Sequence, residues 1–156
     1  MNKGKIVKIV IGILLILFVI IQFIPFEFPV TSFENKNDLL LFHPADGEVK
    51  GIIKTACYDC HSFETKYPWY SYVAPVKWLV INDIKEGREE LNFSEWQKLE
   101  KREQIKMLEE IKEEVEGGNM PLPIYTIMHR DARLSDEQKI RLSEWATAVT
   151  DEIFGE

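Results

Sequence analysis

Between residues 9 and 24 the chain carries a single polar side chain, Gln22, and three lysines, Lys3, Lys5 and Lys8, stand at or before the start of this run. A helix of about 20 mostly apolar residues is long enough to cross a bilayer, and residues 6–24 meet that length. Lys8 can snorkel to one interface while Phe23, Phe26 and Phe28 sit at the other. Pro25 and Pro29 then end the helix. Residues 1–30 therefore read as an N-terminal membrane anchor. The run exceeds the about 7–15 apolar residues of a signal peptide, and no small-x-small cleavage site follows it, so the segment is expected to stay uncleaved. The lysines belong in the cytoplasm by the positive-inside rule, which makes a single-pass protein whose remaining chain is extracytoplasmic or periplasmic.

Beyond Phe26 the chain holds 16 basic and 26 acidic residues, a net charge of −10 against −7 for the whole. Such a domain repels nucleic acid, which is excluded as a partner, and also anionic headgroups. Net charge alone otherwise speaks for solubility, with attraction to a basic partner as the sharper alternative.

Residues 31–47 read as a linker, with Asn35, Asn37 and Pro44 interrupting any regular pattern. Residues 48–156 read as one all-α domain. Val49, Ile52, Ile53, Ala56, Cys57 and Cys60 recur at helical spacing and predict a helix over 48–60. An aromatic stretch with Pro68 inside it, from Phe63 to Tyr72, predicts a packed loop. A second helix is expected from Pro75 to about Gly87. A third is expected from Ser94, with Gln97 completing a capping box, to Gly117-Gly118. A fourth starts on Ser135 and Gln138 and carries Leu142, Trp145, Ala146, Val149 and Ile153 on one face. No run alternates with the period of a strand.

The chemistry concentrates at Cys57-Tyr58-Asp59-Cys60-His61. Cys-x-x-Cys-His is the attachment signature of c-type haem. Two thiols about one helical turn apart can each add to a vinyl group of one porphyrin, and the next histidine supplies the proximal iron ligand. A thioredoxin-like pair would sit near a βαβ pattern, and none is present. A zinc site needs four ligands, and beyond this motif only His43 and His129 remain as histidines, with no further cysteine. A structural disulfide suits an oxidising compartment but leaves His61 and the aromatic cluster unexplained. One covalent haem c, with its iron, is the expected cofactor.

For the sixth ligand the chain offers Met107, Met120 and Met128, with His129 and then His43 as imidazole alternatives. Met107 and Met128 read as packing residues. Met120 follows Gly117-Gly118-Asn119 and precedes Pro121-Leu122-Pro123, so it should lie in an extended, stiffened segment. Local physics alone leaves it equally readable as a residue packed in a turn. Arg88, Arg130 and Arg133 are candidates to pair a haem propionate, although surface roles suit them better. The tyrosines and tryptophans read as core, some of them lining a haem.

At this point the sequence resembles the membrane-anchored haem-binding domain proteins of bacteria, small relatives of class I cytochrome c. The resemblance covers nearly the whole chain after the anchor. It rests on Cys57 to Ser62, on Tyr67-Pro68-Trp69-Tyr70-Ser71, on Gly87-Arg88-Glu89 and on Leu91 to Trp96. It continues through Met120 to Tyr125 and His129 to Ala132-Arg133-Leu134-Ser135. It implies a cytochrome c-like helical fold around one haem, with Cys57 and Cys60 attached, His61 proximal and Met120 distal. The expected role is a single-electron carrier rather than an enzyme, working with unidentified redox partner proteins. Alternatives are a haem-based sensor or peroxidase-like protein with a displaceable distal ligand, and a haem-free interaction module closed by a Cys57–Cys60 disulfide. If the anchor reading is correct, the full-length chain stays in the membrane fraction through an alkaline carbonate wash. Release of a shorter, soluble protein would identify the segment as a signal peptide instead.

Overall fold

Lys3–Gln22 form α1, a helix of 20 residues whose most apolar stretch of 18 has a mean hydropathy of 2.8, with no side chain buried by the rest of the protein. At 1.5 Å per residue its length is about 30 Å, the thickness of a hydrocarbon core. The computed structural model describes residues 2–155, and among them there is no strand. The protein is all-α, as expected.

The end of α1 is tied to the domain that follows. Helix C-termini leave carbonyls without partners. Lys77, a buried lysine, donates from Nζ to the carbonyls of Gln22 at 3.4 Å and Ile24 at 3.1 Å. The Gln22 carboxamide exchanges two hydrogen bonds with the Ala74 backbone, at 2.9 and 3.2 Å. Farther along, Tyr67 donates to the Pro29 carbonyl and Arg88 to that of Val30. Phe28 packs against Tyr67 and Tyr72. The polypeptide leaving α1 is thus packed chain.

The segment expected to be a linker, 31–47, helps to build the core. Asp38 caps the short helix α2 (Leu39–Phe42), accepting from the Leu40 amide at 3.0 Å. Leu39 is 0% exposed, and the Tyr58 hydroxyl donates to Asp38 at 2.6 Å. A four-residue apolar run is too short to display a helical period, so its burial cannot be read from patterning. Asp46, also in that segment, caps α3 (Gly47–Ala56) through the amides of Glu48 and Val49.

The helix expected over 48–60 is broken at Cys57 (φ −123°, ψ −39°), beyond which α4 (Tyr58–His61) continues. The Cys57 amide still bonds the Ile53 carbonyl, so the break is a kink. A 3-10 turn, Trp69–Tyr72, follows within the aromatic stretch. Helix α5 (Val76–Glu90) runs through Gly87, where a stop was expected.

The helix expected over 94–117 is two elements. Phe93–Lys98 form a 3-10 turn that buries Trp96 and Ser94. Helix α6 (Lys101–Glu116) starts afresh, with Glu103 accepting the Glu100 amide at 2.9 Å in a capping box. Ser94 serves the tertiary fold, its hydroxyl accepting the Phe63 amide. Helix α7 (Pro123–Met128) and a 3-10 turn, Arg130–Ala132, lead to α8 (Asp136–Gly155). Ser135 and Gln138 cap α8 reciprocally, as expected. Helices α6 and α8 pack side by side, and α3 also packs on α8. The core between them holds Leu39, Ile53, Trp96, Leu108, Leu142 and Ala146.

Replacing Leu39 by Ala should destabilise the protein by about 2–5 kcal/mol, the range for emptying a packed leucine site. Urea unfolding in detergent measures this, and an unchanged midpoint would mean that 31–47 is a true linker.

Candidate cofactor site

Cys57 stands at the kink, and the other four residues of the motif form α4, which is pressed against α5. A β-carbon placed on Gly87 would lie 3.2 Å from the Cys60 carbonyl oxygen and 3.4 Å from both Cys60 Cβ and His61 Cε1. Glycine at this position is what allows the approach. Just past the end of α5, the Leu91 carbonyl accepts a hydrogen bond from His61 Nδ1 at 3.1 Å. That bond fixes the tautomer and leaves Nε2 with its lone pair for a metal. Burial lowers the proton affinity of His61, which keeps the ring neutral.

Cys57 and Cys60 are free thiols, not a disulfide. Burial, and then the Cys60 charge, pushes the Cys57 thiol up to about 12. Burial, and then Asp59 and Asp83, does the same to Cys60. A thiol pair built for disulfide exchange has a depressed value, so the environment argues against that chemistry. Among the described residues no three His, Cys, Asp or Glu side chains gather as a metal site, which leaves the zinc reading without ligands.

Two clefts meet over the motif. One, of about 450 Å³, is lined by Cys57, Phe93, Met107 and Trp145, among others. The second, of about 400 Å³, is lined by Cys60, Gly87 and Tyr125, among others. Ala56, His61, Glu90 and Met120 line both. The two thiols thus open on adjoining spaces, with the histidine and the methionine where those spaces join.

Met120 reaches this position through the turn after α6. Gly118 adopts φ +74°, and the amides of Asn119 and Met120 both return to the Glu114 carbonyl, at 2.9 and 3.1 Å. The segment is not the extended, stiffened one expected: Pro123 opens α7. Proline is favoured at the first helical position because its missing N–H would be unpaired there anyway.

Of the alternative ligands, Met107 lines the larger cleft but not the second, and the others lie elsewhere. His129 is hydrogen-bonded through Nε2 to the Tyr70 hydroxyl and stacked on Tyr125, and it lines neither cleft. His43 is buried beside Trp96, with Nδ1 3.4 Å from a Glu152 carboxylate oxygen. Met128 is exposed. Arg88 donates to the Ser62 and Val30 carbonyls and to the Thr65 hydroxyl, so it holds loops together rather than facing a cleft. Arg130 and Arg133 are exposed and line neither space.

Two features escaped the sequence. The Leu91 carbonyl is backbone and leaves no trace in residue identity. Trp145 read as ordinary core, yet its indole N–H is buried without an acceptor while the residue lines the larger cleft. A buried donor with no acceptor costs about 1–3 kcal/mol. A ligand with an apolar ring and carboxylate arms, such as haem, could supply both the filling and the acceptor.

A family model described as haem-binding domain matches residues 16–148. The chain belongs to the haem-binding domain family. Neither a curated relative nor a solved structure matches it. The family match begins inside α1 and takes in the whole of this haem-binding domain's clefts, motif and methionine turn.

Gly87→Val should force α4 away from α5, with an overpacking cost of about 1–3 kcal/mol. The expected result is a folded, membrane-bound protein with markedly less haem per chain, measured as haem absorbance over total protein. Wild-type loading would show that the close approach does not matter.

Proposed function

We propose that this protein is a membrane-anchored monohaem c-type cytochrome that transfers single electrons on the extracytoplasmic side of a membrane. The observation that carries the reading is the meeting of His61 and Met120 at the junction of two clefts, one bordered by Cys57 and the other by Cys60. Bound there, haem supplies a one-electron ferric–ferrous couple. Cys57 and Cys60 are the thiols that would hold it covalently. His61, oriented by the Leu91 carbonyl, and Met120 are the side chains that would ligate its iron. A thioether favours ferrous iron and so raises the potential relative to a second imidazole.

The chain's own groups then do three things. Phe93, Ile111, Leu142 and Trp145 supply an apolar wall on the Cys57 side, against which a porphyrin face would pack. Glu86, Glu90, Glu110, Glu113 and Glu114 rim the clefts, so a soluble partner docking there should present basic side chains. The anchor, with Lys3, Lys5 and Lys8 on the cytoplasmic side, holds the domain at the outer face. A sensor or peroxidase-like role is the weaker reading, because His129, its expected acid/base group, is bonded to Tyr70 in a different cleft.

Expression with a cytochrome c maturation system should give a denatured band that stains for haem, and changing both cysteines to serine should abolish the stain. Met120→Ala should remove the near-infrared sulfur-to-iron band, lower the potential and admit carbon monoxide. Met107→Leu, Met128→Leu and His129→Phe should leave the band in place. Loss of the band in one of these three, with its retention in Met120→Ala, would overturn the assignment.

A further inference from the structure

Helix α5 lines a third cleft, of about 400 Å³, with Val76, Leu79, Val80, Asp83 and Ile84. These residues stand at i, i+3, i+4, i+7 and i+8, one face of a helix. The cleft has two distinct ends. Ala74, two residues before Val76, exchanges two hydrogen bonds with Gln22 at the end of α1, and Lys77 covers the last carbonyls of that helix. The opening turn of α5 is therefore fixed at the end of the membrane helix. At the other end Cys60 and Asp59 line the cleft, and Cys60 also lines the space assigned above to the porphyrin. From Val76 to Ile84 is about 12 Å along the helix.

The walls are apolar and open. Trp69 is 73% exposed, Leu79 54% and Ile127 65%. Such a surface is costly in water but not against lipid. The inner end differs: there the Tyr70 hydroxyl pairs with His129, and the Tyr125 hydroxyl donates to Asp59 at 3.0 Å. A hydroxyl both donates and accepts, so the Tyr70–His129 pair can take a further partner.

We propose that this cleft receives the ring of a membrane-borne quinone or quinol. The ring lies between α5 and α7, one ring oxygen bonds the Tyr70–His129 pair, and the apolar tail leaves past Val76 and Leu79 into the bilayer. A phospholipid chain would fill the apolar walls but leave the polar inner end without a partner. A flat ring with oxygens at its edge suits both. The site rests on the proposed membrane anchor, and its role as electron entry on the proposed haem attachment as well. In that role one quinol becomes one quinone, two ferric carriers become ferrous, and two protons pass to solvent.

The test uses the full-length haem-loaded protein in lipid nanodiscs and a decyl-tailed azidoquinone as photolabel, with the labelled peptides mapped by mass spectrometry. Labelling should fall on α5 and α7. A decyl-benzoquinone should displace it and decanol should not. His129→Phe, and separately Leu79→Arg on the open side of the cleft, should each weaken displacement about tenfold while the protein still stains for haem. Labelling elsewhere, no labelling, or equal displacement by decanol overturns the site, the last in favour of a plain lipid groove. Specific labelling of a protein that does not stain upholds the site and overturns the haem reading. Staining without labelling does the reverse.

Discussion

The contact between α4 and α5 at Gly87 is the constraint on which the site depends. A glycine inside a helix costs about 0.5–1 kcal/mol relative to alanine. Here it lets the Cys60 backbone approach to a distance at which a β-carbon would press on the Cys60 carbonyl. With α4 held that close, His61 reaches the Leu91 carbonyl just beyond the end of the same helix. One helix therefore sets the position of the motif and the orientation of its histidine. The Met120 turn is held separately, by α6, through two amides returning to the Glu114 carbonyl.

The same helix links the site to α1, which is long and apolar enough to cross a bilayer. Its first turn carries Lys77 onto the end of α1, its middle faces an apolar cleft, and its last turns rim the proposed haem space with Glu86 and Glu90. A domain on a free linker would sample many orientations. In this one the packing of Gln22 on Ala74 and of Phe28 on Tyr67 and Tyr72 fixes the domain relative to α1. An apolar face near α1 and an acidic rim over the clefts are then different faces, in keeping with the proposed transfer from lipid to solution.

Local signals in the chain account for what was legible. The apolar run, the reciprocal cap of Ser135 and Gln138, and the period of Leu142, Ala146, Val149 and Ile153 each depend on neighbours within a few turns. The same reasoning misread Ser94 and Gln97 as a cap, because Glu100 and Glu103 compete for that role and Ser94 is claimed by the Phe63 amide from a distant loop. It misread 31–47 as a linker, because the burial of Leu39 is decided by what covers it. Arg88 was misplaced for a like reason: it ties the Ser62–Thr65 segment to Val30, two stretches far apart in the chain.

By itself the sequence pointed to haem binding, through two thiols and an imidazole within five residues, and the family match agrees with that much. It also determined an all-helical chain with an apolar segment long enough to cross a bilayer, since both follow from period and length. Only the tertiary structure decided which methionines share a space with His61: Met120 lines both clefts, Met107 the larger one alone and Met128 neither, although the three are chemically alike. It also decided that His129 belongs to a tyrosine in a separate cleft and that α1 ends on Lys77. Those outcomes depend on carbonyl positions and helix contacts between residues distant in the chain, which no local pattern encodes.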